Sequence, residues 1–524
     1  MSWSAAPWLS LLTLTPAVGG LVVLLAPLSP RRAAAFSKAV AALTLLGTLG
    51  VLAGFDRGAA GFQLVEQRAW APQLGMTYFL GVDGLSVLLL PLAAGLTLWA
   101  LALSGRWLKE SRAYGALILL LEAGLMGSFT ALNFFHWFLF WELSLAPAFF
   151  LIKLWGEGDR HGAAAQFFLY TMAGSVAMLV AFLALFGAAG SFDFPSLAEA
   201  ARKGGWAPLL ERGLRLPAGA GPAAAMALCL AVWLGFAVKI PIAPFHTWLP
   251  AAYVAAPTPV TILLTGAMSK MGVYGLARVW LGVFPVEAAQ AAPWLLVVAV
   301  FSVVISAAAA AAQKDMKRMF AYSSVNHLGY CALALTAVAA ASGRAGAEVS
   351  RQAAWSGFIL QMVNHGITAG ALFGFLALFE ARTGCRRGLD EFGGLRRAAP
   401  VFCGLMGISA FASMGLPGLN GFVGEFLIFR GVFGLAPWAA AVSLTGLLLT
   451  AVFLLTMMQR VFHGPLRAEW RGFSDLSARE RLAMAPAIAA MFALGLWPNL
   501  ALMWCNQTVA RLAEGAEKIL TSML

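Results

Sequence analysis

The sequence predicts an all-α polytopic membrane protein with about fourteen transmembrane helices. Hydrophobic residues make up 61% of its 524 residues, and the four charged types only 11%. Soluble domains average about 45–50% apolar and about 25% charged residues. A soluble fold of this composition would leave a large apolar surface in water. Apolar runs of about 20 residues, the length of one bilayer crossing, also recur along the chain.

The apolar runs are separated by short polar or Gly/Pro-rich segments and give fourteen predicted spans. They are residues 8–28, 38–54, 79–103, 114–132, 134–155, 166–188, 223–241, 259–281, 293–312, 319–341, 353–379, 399–415, 438–460 and 482–504. Arg31 is the first charged residue, so the first run lacks the basic region of a signal peptide, and we expect it to be a retained helix. Shorter apolar stretches, 242–258 and 416–434, lie beside spans seven and twelve.

Basic residues divide unevenly between the two sides of the predicted membrane. Alternating the loops places 21 Lys and Arg residues on one side and 12 on the other. The positive-inside rule makes the richer side cytoplasmic, so both termini are expected on the outside, the periplasm of a bacterial inner membrane. The same rule accounts for the net charge of +12. We expect no nucleic-acid binding, because the basic residues are not clustered with stacking aromatics.

The cysteines and glycines form none of the usual cofactor motifs. The five cysteines are scattered, without a CxxC pair or a Cys/His cluster, and are interpreted as small buried hydrophobic residues. No dinucleotide-binding fingerprint is present either. We therefore expect neither a metal nor a cofactor in this chain.

Sorting the loops to the two sides leaves five charged residues inside the membrane: Glu122, Glu142, Lys239, Lys270 and Glu425. A charge in the middle of a membrane costs at least about 2.5–3.5 kcal/mol, so it persists where it is paired, hydrated or used. A structural ion pair, or a helix end nearer the interface, explains one such residue more readily than five of both signs. Acids and lysines spread over several spans are typical of a proton relay, because burial and charged partners bring their proton affinities toward neutrality.

Two spans are interrupted next to these charges. Residues 240–250, after Lys239, include three prolines, and residues 415–424, before Glu425, include four glycines and a proline. Neither stretch can continue a straight helix. Irregular backbone at membrane depth is tolerated inside protein or along a wet cavity, and paired interruptions indicate an ion path. A plain loop between two spans is the alternative interpretation.

The spacing of these groups also predicts an internal repeat. Glu142 and Lys239 are 97 residues apart, and His327 and Glu425 are 98 residues apart. Spans four to eight and nine to thirteen then form two five-helix units, which are inverted in the membrane because each contains an odd number of helices. The predicted organisation is an N-terminal three-helix segment at 1–113, repeats at 114–281 and 293–462, and a final helix and tail at 463–524.

Several short motifs surround the charges and the breaks. They lie at residues 140–143, 237–239, 244–250, 256–260, 269–275, 315–318, 415–418 and 424–426. Together they resemble the antiporter-like subunits of NADH–quinone oxidoreductase (respiratory complex I) and of the Mrp antiporters, over nearly the whole chain. Within that family, a glutamate at the position of Glu425, where related subunits usually carry lysine, resembles the subunit M branch.

The resemblance implies a proton-translocating subunit of a membrane arm. By analogy, Glu142 and Lys239 form an ion pair whose opening changes the proton affinity of the lysine, Lys270 passes protons laterally, and Glu425 exchanges them with one face. Electron transfer from NADH through flavin and iron–sulfur clusters to quinone is then expected in partner subunits, with subunits of the L and N type as neighbours.

The resemblance assigns supporting roles to three more residues. Glu122 would link to the neighbouring subunit, while His327 and His365 would bridge hydrated gaps, because imidazole both accepts and donates protons. For either histidine, a hydrogen-bonded core residue is the alternative.

Four positions depart from the family pattern: Asn133, Gln166, Ala251 and Tyr253. They put in question the proton exit near the first break, and whether the chain is the standard subunit or a diverged paralogue. The rival functions are a sodium–proton antiporter subunit of the Mrp type, the equivalent module of a membrane hydrogenase or other quinone-linked complex, and a purely structural scaffold.

Overall fold

A computed structural model describes residues 6–521, with side chains described as far as residue 514. The two ends of the chain, for which the sequence predicts a periplasmic position, lie outside these residues. The N-terminal part contains α1 (Trp8–Leu25), α2 (Pro30–Ala53), β1 (Gln63–Ala71), β2 (Met76–Val82), α3 (Leu89–Leu103), α4 (Gly105–Glu110), α5 (Arg112–Thr130), α6 (Phe134–Trp155) and α7 (Arg160–Ala189).

The rest of the described chain is helical apart from its loops. It contains α8 (Phe194–Gly204), α9 (Trp206–Gly213), α10 (Gly221–Lys239), α11 (Trp248–Ala255), α12 (Thr258–Val283), α13 (Pro285–Ala311), α14 (Met316–Ala340), α15 (Glu348–Thr383), α16 (Pro400–Ser413), α17 (Asn420–Leu435), α18 (Pro437–Phe462), α19 (Ala478–Leu496), α20 (Asn499–Leu502) and α21 (Asn506–Thr521). The predicted all-α membrane class is confirmed.

Ten of the described helices are long and apolar enough to cross a membrane. Each of the fourteen predicted spans contains a helix, but α3 and α16 are short, and α14 and α19 fall outside the ten. The number of crossings and their sidedness therefore stay predictions. The division into inverted repeats likewise stays a prediction.

The third predicted span begins in the wrong place. Residues 63–82 form an antiparallel β-hairpin, and helix α3 starts only at Leu89. The predicted span starts at Phe79, inside β2, because a short apolar run does not distinguish a strand from a helix. The hairpin holds the start of α1, where the Leu9 amide donates to Glu66 Oε1 at 2.7 Å.

Both predicted breaks are present in the structure. Helix α10 ends at Lys239, and the chain becomes helical again at Trp248 in α11. Buried side chains bond backbone groups in the break and at the end of α10, as membrane depth requires. The Ala243 amide donates to Ser302 Oγ at 3.0 Å, and Trp248 Nε1 donates to the Val238 carbonyl at 2.9 Å.

The second break is shorter than the glycines suggest. Helix α16 ends at Ser413, and α17 begins at Asn420, so Gly421 lies inside a helix. A Cβ on Gly421 would lie 1.9 Å from a backbone carbonyl of α16, so this glycine permits close packing rather than breaking the helix. Of the four glycines at 415–424, two have a positive φ angle, which glycine tolerates best: Gly415 at 72° and Gly418 at 92°.

Three of the helices that carry candidate relay residues, α12, α15 and α5, lie inside the bundle. In the most apolar 18-residue stretch of α12, 100% of the residues are buried within the protein. The corresponding shares for α15 and α5 are 89% and 83%. Helix α15 packs against α17, α14, α12 and α3, while α5 packs against α1 and α6. Polar groups on these helices are thereby shielded from lipid.

Candidate proton relay

Lys270 lies at the centre of α12, between two stretches of π-helix at 264–268 and 276–280. Wider π turns of this kind are frequent at functional sites. The fully buried Lys270 Nζ donates to the Thr265 carbonyl at 2.6 Å and lies 2.6 Å from His365 Nδ1 on α15. A proton on Lys270 therefore has a titratable neighbour within hydrogen-bonding distance.

The row of titratable groups continues from His365 to the second break. The rings of His365 and His327 are 5.6 Å apart between centroids, so transfer across this gap requires a ring rotation or one bridging water. His327 Nδ1 then lies 3.0 Å from Glu425 Oε1, although the geometry is not that of a directed hydrogen bond. Four of the predicted residues, on α12, α15, α14 and α17, thus form one row.

The Glu425 carboxylate faces the break between α16 and α17. Its Oε1 accepts a long hydrogen bond of 3.4 Å from Gln361 Nε2, whereas Oε2 has no hydrogen-bond partner within residues 6–514. A Cβ on Gly415 would lie 2.7 Å from Oε2, so the break approaches the carboxylate closely. A small cavity lined by Glu425, His327 and Asn364 opens beside it. This arrangement leaves one carboxylate oxygen free to exchange a proton.

Lys239 and Glu142 are close enough to interact electrostatically, but they do not touch. They form no contact within the 4.0 Å of an ion pair, and Lys239 Nζ has no hydrogen-bond partner in the part of the chain with described side chains. The ammonium instead lies over the Trp141 ring, 4.6 Å from its centroid. The direct ion pair that the resemblance implied is therefore absent from this structure.

A cavity extends from Lys239 toward α12, the helix that carries Lys270. It is lined by Lys239, Tyr253, Trp248 and Ser269, and Ser269 is the residue next to Lys270. The first break, which follows Lys239, thus faces the helix that carries the central lysine.

Glu122 is not joined to this row. It is fully buried on α5, and neither of its carboxylate oxygens has a hydrogen-bond partner among the described side chains. Its predicted role as a link to a neighbouring subunit stays a prediction. The same holds for the roles predicted for the other six residues.

Sequence reasoning missed polar groups that have no charge of their own. Asn364 Nδ2 donates to the Asn420 carbonyl at 2.7 Å, and Asn420 Oδ1 accepts from Thr368 at 3.2 Å, so these three residues secure the start of α17. Ser413, at the end of α16, bonds His327 Nε2 at 3.1 Å. Ser413 and Asn420 lie at the Gly/Pro break in the sequence, which was a signal for them, whereas Asn364 and Thr368 are about fifty residues away and had no such signal.

Sequence reasoning also placed Lys317 in a loop, whereas it is buried in the first turn of α14. Its Nζ lies 3.7 Å from Glu380 Oε1 and donates to the Ala256 carbonyl at 2.7 Å. Glu380 also accepts a hydrogen bond from Thr258 at 2.5 Å and pairs with Arg387 at 3.0 Å. These contacts connect the N-terminal ends of α12 and α14 to the C-terminal end of α15.

One departure from the family pattern has a structural explanation. Asn133 caps α6, its Oδ1 accepting from the amides of Phe135 and His136. Its Nδ2 donates to Asp193 Oδ1 at 2.7 Å. A second carboxylate in place of Asn133 would face Asp193 with like charge and no donor, so asparagine suits this site.

Comparison with known proteins shows which family this chain belongs to. Residues 131–450 match the sequence profile of the transmembrane region shared by NADH:quinone oxidoreductase and Mrp antiporters. Subunit M of the NADH–quinone oxidoreductase of Rhodobacter capsulatus is 36% identical over 522 residues, which cover 97% of this chain and 96% of that protein. The chain belongs to the subunit M family.

Solved structures agree with this assignment. A chain of respiratory complex I from Thermus thermophilus superposes with a TM-score of 0.83 at 27% identity, covering 98% of this chain and 99% of that chain. A chain of the Mrp complex from Dietzia gives the same TM-score at 20% identity, with complete coverage of both, and shows the shared fold alone. As a member of the subunit M family, the chain is a membrane-spanning subunit with membrane-arm partners.

Proposed function

We propose that this chain translocates protons as the M-type subunit of an NADH:quinone oxidoreductase. Electron transfer takes place in other subunits, and this chain moves protons through its buried glutamates, lysines and histidines. The observation that carries the proposal is the row Lys270, His365, His327 and Glu425. A static scaffold has no need for four titratable side chains in one buried row.

Within this row, each residue has a role that its chemistry supports. Lys270 holds a proton in the middle of α12 and passes it to His365 across 2.6 Å. The two imidazoles accept at one nitrogen and donate at the other. Glu425 receives the proton from His327 and releases it at the second break.

The remaining assignments follow from the same proposal. NADH, flavin, iron–sulfur clusters and quinone belong to partner subunits, and the chain itself has no redox centre. Its neighbours are subunits of the L and N type, and its location is a bacterial inner membrane with both termini in the periplasm. Tagged purification of the intact complex identifies these partners directly.

The rival assignments share the fold and differ in what drives the protons. An Mrp-type antiporter requires sodium for transport, and a membrane hydrogenase module co-purifies with hydrogenase subunits rather than with NADH-oxidising ones. The subunit M family membership favours the NADH-linked complex. A sodium requirement for proton movement, or co-purified hydrogenase subunits, would replace the proposal with one of these.

The test compares two histidines of equal burial. His365 and His136 are both 5% exposed, but only His365 lies in the row. We expect His365→Leu to lower proton uptake per NADH oxidised by inside-out vesicles at least about tenfold, because the proton on Lys270 loses its acceptor. His136→Leu should pump at the parental level once corrected for assembled complex. Equal pumping by both variants would refute the proposed row.

A further inference from the structure

Lys239 lies in an unusual environment for a buried ammonium group. The side chain is 2% exposed, and no carboxylate oxygen lies within 4.0 Å of its Nζ among the described residues. The contact that remains is with the face of Trp141, at 4.6 Å from the ring centroid. A desolvated cation at this distance from an indole is held by the negative face of the ring.

The Trp141 ring is fixed in the orientation that offers this face. Its Nε1 donates to Ser175 Oγ on α7 at 2.9 Å. Trp137, one helical turn earlier, packs against it at 4.6 Å between ring centroids, and Phe236 of α10 packs edge-on at 5.8 Å. The ring therefore does not need to reorganise to accept the ammonium.

Trp141 and Glu142 are consecutive residues of α6. Consecutive side chains of an α-helix point about 100° apart, so Lys239 meets an aromatic face on one side and a carboxylate on another. Glu142 Oε1 has no hydrogen-bond partner among the described residues, so this oxygen has room for the ammonium. The cavity lined by Lys239 and Ser269 opens from the same place.

We propose that the Trp141 ring is a second binding position for the Lys239 ammonium, occupied when the lysine leaves Glu142. The inference rests on the proposed proton-translocating function and makes Trp141 a positioning residue. At the ring the lysine keeps its proton without a carboxylate partner. The proton is thereby held beside the cavity that leads to α12, instead of being lost when the ion pair opens.

The experiment compares two buried tryptophans in the intact complex. Trp206 on α9 is also buried and its Nε1 donates one hydrogen bond, to the Val283 carbonyl at 2.7 Å, but it makes no cation contact among the described residues, so Trp206→Leu is the matched control for lost packing. The loss of a desolvated cation–π contact shifts the equilibrium between the two lysine positions by about tenfold to thirtyfold. We expect Trp141→Leu to lower proton uptake per NADH at least about fivefold, and Trp206→Leu to leave it unchanged.

Two further variants separate charge from shape. Trp141→Phe keeps a weaker π face and should restore about half of the pumping lost in Trp141→Leu. Fluorinated tryptophan incorporated at position 141 keeps the size of the ring and weakens its negative face, so pumping should fall with each added fluorine. This series remains decisive if the leucine variant does not assemble. Pumping independent of fluorination would overturn the proposal.

A last variant separates this inference from the proposed function. Glu142→Gln removes the carboxylate charge at the first binding position of the Lys239 ammonium. If His365→Leu and Glu142→Gln both pump normally, the proposed proton-translocating function itself is wrong. If Glu142→Gln fails while Trp141→Leu and the fluorinated series pump normally, only the second binding position is refuted.

Discussion

Shortening or neutralising the side chain of Glu425 tests whether this residue exchanges protons or only holds the second break together. Glu425→Asp keeps a titratable carboxyl group and removes one methylene. Glu425→Gln keeps the length of the side chain and its capacity for hydrogen bonding, but it cannot take up a proton from His327. The two variants therefore alter geometry and titration separately.

The structure sets the size of each effect. Removing one C–C bond withdraws the carboxylate by about 1.5 Å, so the 3.0 Å contact with His327 Nδ1 lengthens to about 4.5 Å. One water bridges such a gap at little cost, and we expect Glu425→Asp to keep about a tenth to a half of parental pumping. Glu425→Gln removes the proton acceptor, and a lost acid–base group typically costs about 10²–10⁴ in rate.

The assay is proton uptake per NADH oxidised in inside-out vesicles, corrected for the amount of assembled complex. NADH oxidation with uncoupler is measured in parallel, because it reports the redox subunits. If Glu425 only secures the break, Gln should do no worse than Asp, since it still bonds Gln361 and fits the same space. Glu425→Gln vesicles that pump as well as Glu425→Asp vesicles would show that the proton-exchange role is wrong.

Three other outcomes are expected. Glu142→Gln and Lys239→Ala membranes with normal subunit content should lose most NADH-driven pumping, and parental pumping in both would exclude them from the relay. Gly421→Ala should destabilise the subunit by about 1–3 kcal/mol through overpacking against α16 and reduce assembled complex on native gels; Gly404→Ala, whose Cβ meets no atom within 4 Å, is its control. A reporter fused after Leu524 should be active only in the periplasm, and cytoplasmic activity would mean that a span is miscounted.

The sequence by itself determined the membrane class, the breaks and the candidate charges. Apolar runs of span length are a local property, so they are read without any knowledge of packing. Proline and glycine act on their own backbone, so the breaks after Lys239 and before Glu425 were visible in the same way. The cost of a charge at membrane depth singled out Lys270 before any partner was known.

Prediction from the sequence failed where a strand and a helix share the same local pattern of residues. The apolar run before Asp83 fits a strand as well as a helix, and only pairing with β1 makes residues 76–82 a strand. Lys317 was assigned to a loop because the predicted span starts only at residue 319, and the structure buries it beside Glu380, 63 positions away.

Only the tertiary structure decided which titratable groups meet. His365 Nδ1 reaches Lys270 across 95 residues of sequence, and His327 reaches Glu425 across 98. The resemblance paired Lys239 with Glu142, whereas the structure puts its ammonium over Trp141. These contacts depend on how six helices pack: α6, α10, α12, α14, α15 and α17. Helix packing depends on complementary shapes along whole helices, which no local pattern of residues encodes.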